Sequence, residues 1–314
     1  MFEKQKLDVS SKSILTRRSF VTRAGALGIG GAAAATSFLS AIPVHARAAE
    51  DGDPDDRDNQ SGDTAQQIFT AALIAEDLAS TFYYNGLIGG VIQDPNLAGT
   101  GGTALFTAAN GNEGNVEYIR AALNEEIMHA DLLRALTGGT TSAGDPVQMF
   151  YLPTGTFDTL TPFLAVLDAL ENAFIGAYLN ATIELAQMAA DTRAGAATQL
   201  DSAGKPYNSS TLAYFAQVAA SIMGVEAEHR VLGRVISNSN PANQLCYEQT
   251  DGLTSVYNVT ASAVVALTPF LTPGAGKVAY SLQTALGDAS RVSLPCTGGV
   301  PAPPAPRKDK DKDK

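Results

Sequence analysis

The stretch NEEIMHADLL, Asn124–Leu133, places a histidine three residues after a glutamate inside a run that is otherwise helical and apolar. The chain has three histidines, His45, His129 and His229, and the last stands in VEAEHRVLG, again three residues after a glutamate, Glu226. On an α-helix, residues three apart share a face with about 5 to 6 Å between their Cβ atoms, so each Glu–His pair can reach one point in a core. If glutamate fills about one position in 20, its presence at −3 from both His129 and His229 has a chance on the order of one in 400. The spacing therefore points to a shared site rather than to two unrelated core histidines.

Working outward from this stretch, four long helical segments are expected. The first runs from a capping box at Asp63–Gln66 to Gly89 and Gly90, with a stripe through Ala72, Glu76, Ala79, Tyr83 and Leu87. The second runs from about Asn115 to Leu136 and is stopped by Gly138 and Gly139; the third runs from about Asp158, with Pro162 in its first turn, to about Ala190. The fourth runs from about Ser210 to Ile236. At about 1.5 Å per residue each spans roughly 33 to 46 Å, a length that suits an all-α four-helix bundle. The connection from Thr137 to Phe157 is long enough to cross that bundle, which lets the second and third helices run parallel. Residues 237–297 form a C-terminal extension in which SVYNVTASAVVAL predicts a further helix.

The two helices without histidine carry one glutamate each in their apolar stripes, Glu76 in LIAEDLAS and Glu171 in LDALENAF. A carboxylate in a core costs several kcal/mol unless a cation meets it, so both imply a positive partner. All four glutamates, Glu76, Glu126, Glu171 and Glu226, fall near mid-height of their helices. The two halves echo each other: a tyrosine follows seven residues after each lone glutamate, Tyr83 and Tyr178. Glu125, Asp77 and Glu228, one residue from the proposed ligands and about 100° around the helix, read as solvated neighbours. Asp168 shares the face of Glu171 and is a candidate hydrogen-bond partner for a ligand histidine. Tyr83 and Tyr178 read as core packing, with electron donation as the sharper alternative.

The ends of the chain read differently. Residues 1–46 have a basic start, the pair Arg17 and Arg18 in TRRSF, an Ala- and Gly-rich apolar stretch and small residues at a cleavage site, the pattern of a twin-arginine export signal. That predicts a periplasmic or secreted protein with no stable membrane insertion once the signal is cleaved. Residues 47–62 read as an acidic linker and 298–314 as a Pro-rich, charge-alternating tail. Without residues 1–46 the net charge falls from −11 to −15. Such an acidic surface excludes nucleic acid and anionic membrane as partners. The two cysteines, Cys246 and Cys296, are expected to pair in an oxidising compartment.

The set Glu, Glu-x-x-His, Glu, Glu-x-x-His on four helices resembles the ferritin-like di-iron and di-manganese carboxylate proteins over about residues 63–236. The leader, together with FYLPTGTFDTL before the third helix, resembles exported ferritin-like domain proteins related to desiccation-associated and fungal stress proteins. The resemblance implies two divalent metal ions, Fe or Mn with Zn possible. Glu126 and Glu226 would bridge them, with Glu76 and His129 on one ion and Glu171 and His229 on the other. Four carboxylates against two divalent cations give a neutral site, and mixed O and N ligation suits these metals. Reaction with O2 or peroxide of the ferroxidase, oxidase or catalase type is the implied function. The alternative is a non-catalytic stress-associated protein in which the metal site is structural or empty. The long loops and extension argue against a cage oligomer.

Overall fold

The computed structural model describes residues 63–239 and 263–294. The leader, the linker, His45, both cysteines and the tail lie outside the described residues. The described chain is mostly helical: α1 (Ala65–Ile88), α2 (Glu113–Leu136), α3 (Leu160–Ala194) and α4 (Ser209–Ile236) are long, and α5 (Ala263–Leu271) and α6 (Leu282–Ala289) are short. A two-stranded antiparallel sheet adds β1 (Met149–Pro153) and β2 (Lys277–Ser281).

The helix boundaries follow from local chemistry. The capping box at the start of α1 lies one residue later than Asp63–Gln66. The Thr64 hydroxyl accepts from the Gln67 N–H, and the Gln67 side chain accepts from the Thr64 N–H at 2.8 Å. Asn112 and Asn208 cap α2 and α4 by accepting from the N–H groups of Asn115 and Thr211. Gly195 ends α3 at φ 72°, a left-handed conformation that glycine adopts without strain, and its N–H reaches back to the Asp191 and Thr192 carbonyls.

The long helices pair antiparallel in two hairpins. Gln66, at the start of α1, donates to the Leu136 carbonyl at the end of α2, and Gly233, near the end of α4, lies against Leu167 near the start of α3. The hairpins face each other in opposite senses: Tyr83 of α1 meets Glu171 of α3 and Glu76 of α1 meets Tyr178 of α3, so α1 and α3 run antiparallel. Between α2 and α4, His129 faces Glu226 while Glu126 faces His229. Among the described helices, α3 is long and apolar enough to cross a membrane by length and composition. Its buried Glu171 and its packing against α4 account for that apolarity as bundle core.

The apolar core falls into two clusters. On α2 the clusters are separated by the interval from Leu123 to Ala130, and on α4 by the interval from Ile222 to Leu232. Those intervals contain Glu126, His129, Glu226 and His229, so a polar layer divides an otherwise hydrophobic bundle.

The extension is tied to the bundle. β2 pairs with β1, which lies in the connection between α2 and α3, in register from Met149↔Ser281 to Pro153↔Lys277. Beyond α6, Arg120 of α2 donates to the carbonyls of Val292 at 2.7 Å and Ser293 at 3.2 Å, and the Leu294 N–H returns to the Arg120 carbonyl. The sequence reading expected no strands in these segments.

Candidate metal centre

The structure brings the six sequence-predicted residues together in the polar layer, in two groups of four whose ligand atoms lie within 4.8 Å of one another. One group is Glu76, Glu126, His129 and Glu226; the other is Glu126, Glu171, Glu226 and His229. Glu126 and Glu226 belong to both. All four glutamates are fully buried, each from a different helix.

Both imidazoles turn Nδ1 inward. His129 Nδ1 lies 3.4 Å from Glu76 Oε2, 3.7 Å from Glu126 Oε2 and 3.4 Å from Glu226 Oε1. His229 Nδ1 lies 3.0 Å from Glu126 Oε1 and 3.5 Å from Glu226 Oε2. None of these contacts has the geometry of a hydrogen bond. The inner atoms, Glu76 Oε2, both oxygens of Glu126, His129 Nδ1, Glu171 Oε2, both oxygens of Glu226 and His229 Nδ1, are buried without a hydrogen-bond partner. Buried polar atoms are nearly always satisfied, so this convergence marks a place built for something else. A cation fits, since every atom is an oxygen acceptor or an imidazole nitrogen able to present a lone pair.

The outer faces of the terminal glutamates are, by contrast, satisfied. Tyr83 of α1 donates to Glu171 Oε1 of α3 at 2.5 Å, and Tyr178 of α3 donates to Glu76 Oε1 of α1. This reciprocal exchange realises the two-halves pattern of the sequence and gives both tyrosines more than packing to do. Each hydroxyl holds one carboxylate oxygen outward and leaves Oε2 facing the centre.

The electrostatics record the crowding. Burial, then the Glu226 and Glu126 carboxylates, pushes Glu76 well above the usual carboxylate range. Burial and Glu226 do the same to Glu171. Burial also disfavours ionised Glu126, but the imidazoles of His229 and His129 outweigh it and hold this carboxyl below the usual range. Burial disfavours the His129 cation, yet Glu126, Glu226 and Glu76 push its pKa up to about 12. His229 is likewise raised against burial, by Glu126 and Glu125. Burial and the adjacent glutamates raise Tyr83 and Tyr178, so both hydroxyls keep their protons. In the absence of metal, protons supply the positive charge that the layer needs.

Three neighbours depart from expectation. Glu125 is not simply solvated: its Oε2 lies 2.9 Å from Nε2 of His229, across the helix interface. Asp77 is fully buried rather than exposed, 3.3 Å from Arg134, which also binds Asp145 and Asp131. Burial, with Asp145 adding to it and Arg134 opposing, pushes Asp77 up to about 8. Asp168 accepts from Asn172 at 3.0 Å, and Asn172 in turn accepts from Arg230. It therefore engages a neighbour on its own helix and is not seen bonded to a ligand histidine. Glu228 is exposed, as expected. In each corrected case the deciding partner comes from another helix or from a residue four along, and an apolar stripe alone does not reveal it.

Residues 64–205 match the family model of a ferritin-like domain, which supports the ferritin-like superfamily for this bundle. The match spans α1 to α3 and stops before α4, so Glu226 and His229 rest on geometry. No curated protein and no solved structure matches the chain.

Proposed function

We propose that the bundle holds two divalent metal ions, iron or manganese with zinc as a competitor, and that the loaded protein reacts with O2 or peroxide. Glu126 and Glu226, common to both groups, would be shared between the two ions, with Glu76 and His129 holding one and Glu171 and His229 the other. The observation that carries this reading is the set of buried inner donor atoms, drawn from four helices, that lack any hydrogen-bond partner. Residues 137–159 then serve as the long crossover of a ferritin-like bundle. The Arg17–Arg18 leader would deliver the chain to an exported compartment already folded.

Two such ions, when bound, supply two electrons one at a time, enough with two protons to take O2 to H2O2 or H2O2 to two waters. Each position has a terminal carboxylate, an imidazole and two shared carboxylates, about four or five donor atoms, whereas a purely structural site tends to be closed by protein ligands. The protein's own contribution is orientation and proton control. Tyr83 and Tyr178 aim the terminal carboxylates and retain their protons at Oη. The apolar clusters above and below the layer shield the inner donor atoms from bulk water.

The test is to load the protein with Fe²⁺ without air, mix it with aerated buffer or H2O2, and follow the remaining Fe²⁺ with a ferrous chelator in quenched samples. Rapid loss of Fe²⁺, slowed strongly in His129→Ala and His229→Ala, is expected. Fe²⁺ retained by the protein and unoxidised after hours in air or peroxide contradicts the redox reading. It would favour the alternative of a stress-associated protein whose metals only hold the fold.

A further inference from the structure

We infer that the two metal positions are unequal: the one at Glu171 and His229 retains its ion, the one at Glu76 and His129 exchanges, and Glu125 is the positioning residue that sets the difference. This rests on the dinuclear reading above.

The two histidines present the same inner atom but have different outer surroundings. His229 Nε2 lies 2.9 Å from Glu125 Oε2, and Glu125, a carboxylate on the neighbouring helix α2, accepts a hydrogen bond from Nε2–H. A neutral imidazole carries one N–H, so a proton held at Nε2 leaves the Nδ1 lone pair facing Glu126 and Glu226. His229 is thereby fixed in the tautomer and orientation of a ligand. His129 has no equivalent support: among the described residues no hydrogen-bond partner meets its Nε2. Its side chain is 13% exposed, against 5% for His229.

The sequence explains the asymmetry. Within the repeated Glu-x-x-His pattern, the residue before Glu126 is Glu125, and the residue before Glu226 is Val225. The second half lacks the carboxylate that the first half extends to its partner's histidine. His129 therefore lacks a carboxylate that would fix its Nε2–H tautomer and orientation, and its side chain is the more exposed of the two.

Carboxylate partners of ligand histidines change metal affinity by about 10- to 100-fold. Glu125 is 46% exposed, so water competes for it and screens it, which places the effect at the lower end, about tenfold. That exposure also makes its replacement compatible with folding.

The experiment is Co²⁺ titration of the apo full chain, followed by stripping with a chelator while the visible Co²⁺ absorbance is recorded. The wild type is expected to lose its ions in two phases through a one-ion species. Glu76→Ala should keep the slow phase and Glu171→Ala the fast one. Glu125→Val should weaken the retained position about tenfold and bring the phases together, and Glu125→Gln, whose amide oxygen still accepts from Nε2–H, should preserve their separation. Two equivalent Co²⁺ ions lost in one phase, with Glu125→Val unchanged, overturn the inference and leave the dinuclear reading standing. Failure to bind Co²⁺ at all overturns both.

Discussion

Glu76, Glu171, His129 and His229 all have their protonated forms favoured by burial or by neighbouring carboxylates, while a metal requires each of them deprotonated. The sign follows directly: the apo site holds protons at pH 7 that binding must expel, so affinity rises as pH rises. Zn²⁺ or Mn²⁺ loading is expected to release protons. Calorimetry in two buffers of different ionisation enthalpy measures this, and proton uptake or no net exchange contradicts it. The tyrosines act at the same scale. Tyr178→Phe and Tyr83→Phe each free a terminal carboxylate, and a hydrogen bond to a charged group is worth about 1.5 to 3 kcal/mol, so metal affinity should fall by roughly 10- to 100-fold. Unchanged binding isotherms would mean that the hydroxyls do not orient the ligands. The Glu-x-x-His pairs were legible in the sequence because both members lie on one helix face. Glu125 and Asp77 were not, because what each meets is decided by a neighbouring helix.

Between elements, α1 and α3 pack tightly at Gly86. A Cβ there would stand 2.6 Å from Phe163 Cε2, whose ring is fully buried and stacked on Phe82 at 4.9 Å. Alanine improves helix propensity by up to about 1 kcal/mol, but overpacking costs about 1 to 3 kcal/mol. Gly86→Ala is therefore expected to lower stability in chemical denaturation by about 1 kcal/mol, and a stabilised variant would show that the crossing is looser than described. Arg134 is the second joint, holding α2 to Asp77 of α1 and to Asp145 of the following connection. Arg134→Met leaves buried Asp145 without its cation and Asp77 without its donor, and should cost about 3 to 5 kcal/mol. A midpoint shift under 1 kcal/mol would contradict that assignment. Helix positions were readable from apolar periodicity and Gly stops to within a few residues, whereas the Asn112 and Asn208 caps were not singled out. The α1 capping box was displaced by one residue because Asp63 and Thr64 are both competent caps. β1 and β2 were missed because their pairing joins segments far apart in sequence, and neither strand alternates strongly enough to declare itself.

For the molecule as a whole, the polar layer separates two apolar clusters that would otherwise form one core. Without metal, the layer depends on bound protons to offset its carboxylates; two divalent cations would neutralise the four carboxylates and join the hairpins through shared ligands. Binding to the native state alone stabilises by about 2.7 kcal/mol at a ligand concentration 100 times Kd. The thermal midpoint should therefore rise on loading and remain flat in Glu126→Ala. The bundle, its mid-height layer and the six inward residues could be argued from periodicity and spacing, since helical faces repeat predictably. The choice of reaction could not, because O2, peroxide and a purely structural role make the same demands on those residues. The most direct measurement of the central claim is the metal content of the folded chain after reconstitution and desalting. Close to two ions per chain are expected, falling to near zero in the Glu126→Ala, Glu226→Ala double variant; a wild type that retains none, or a double variant that retains the full complement, would contradict a dinuclear site.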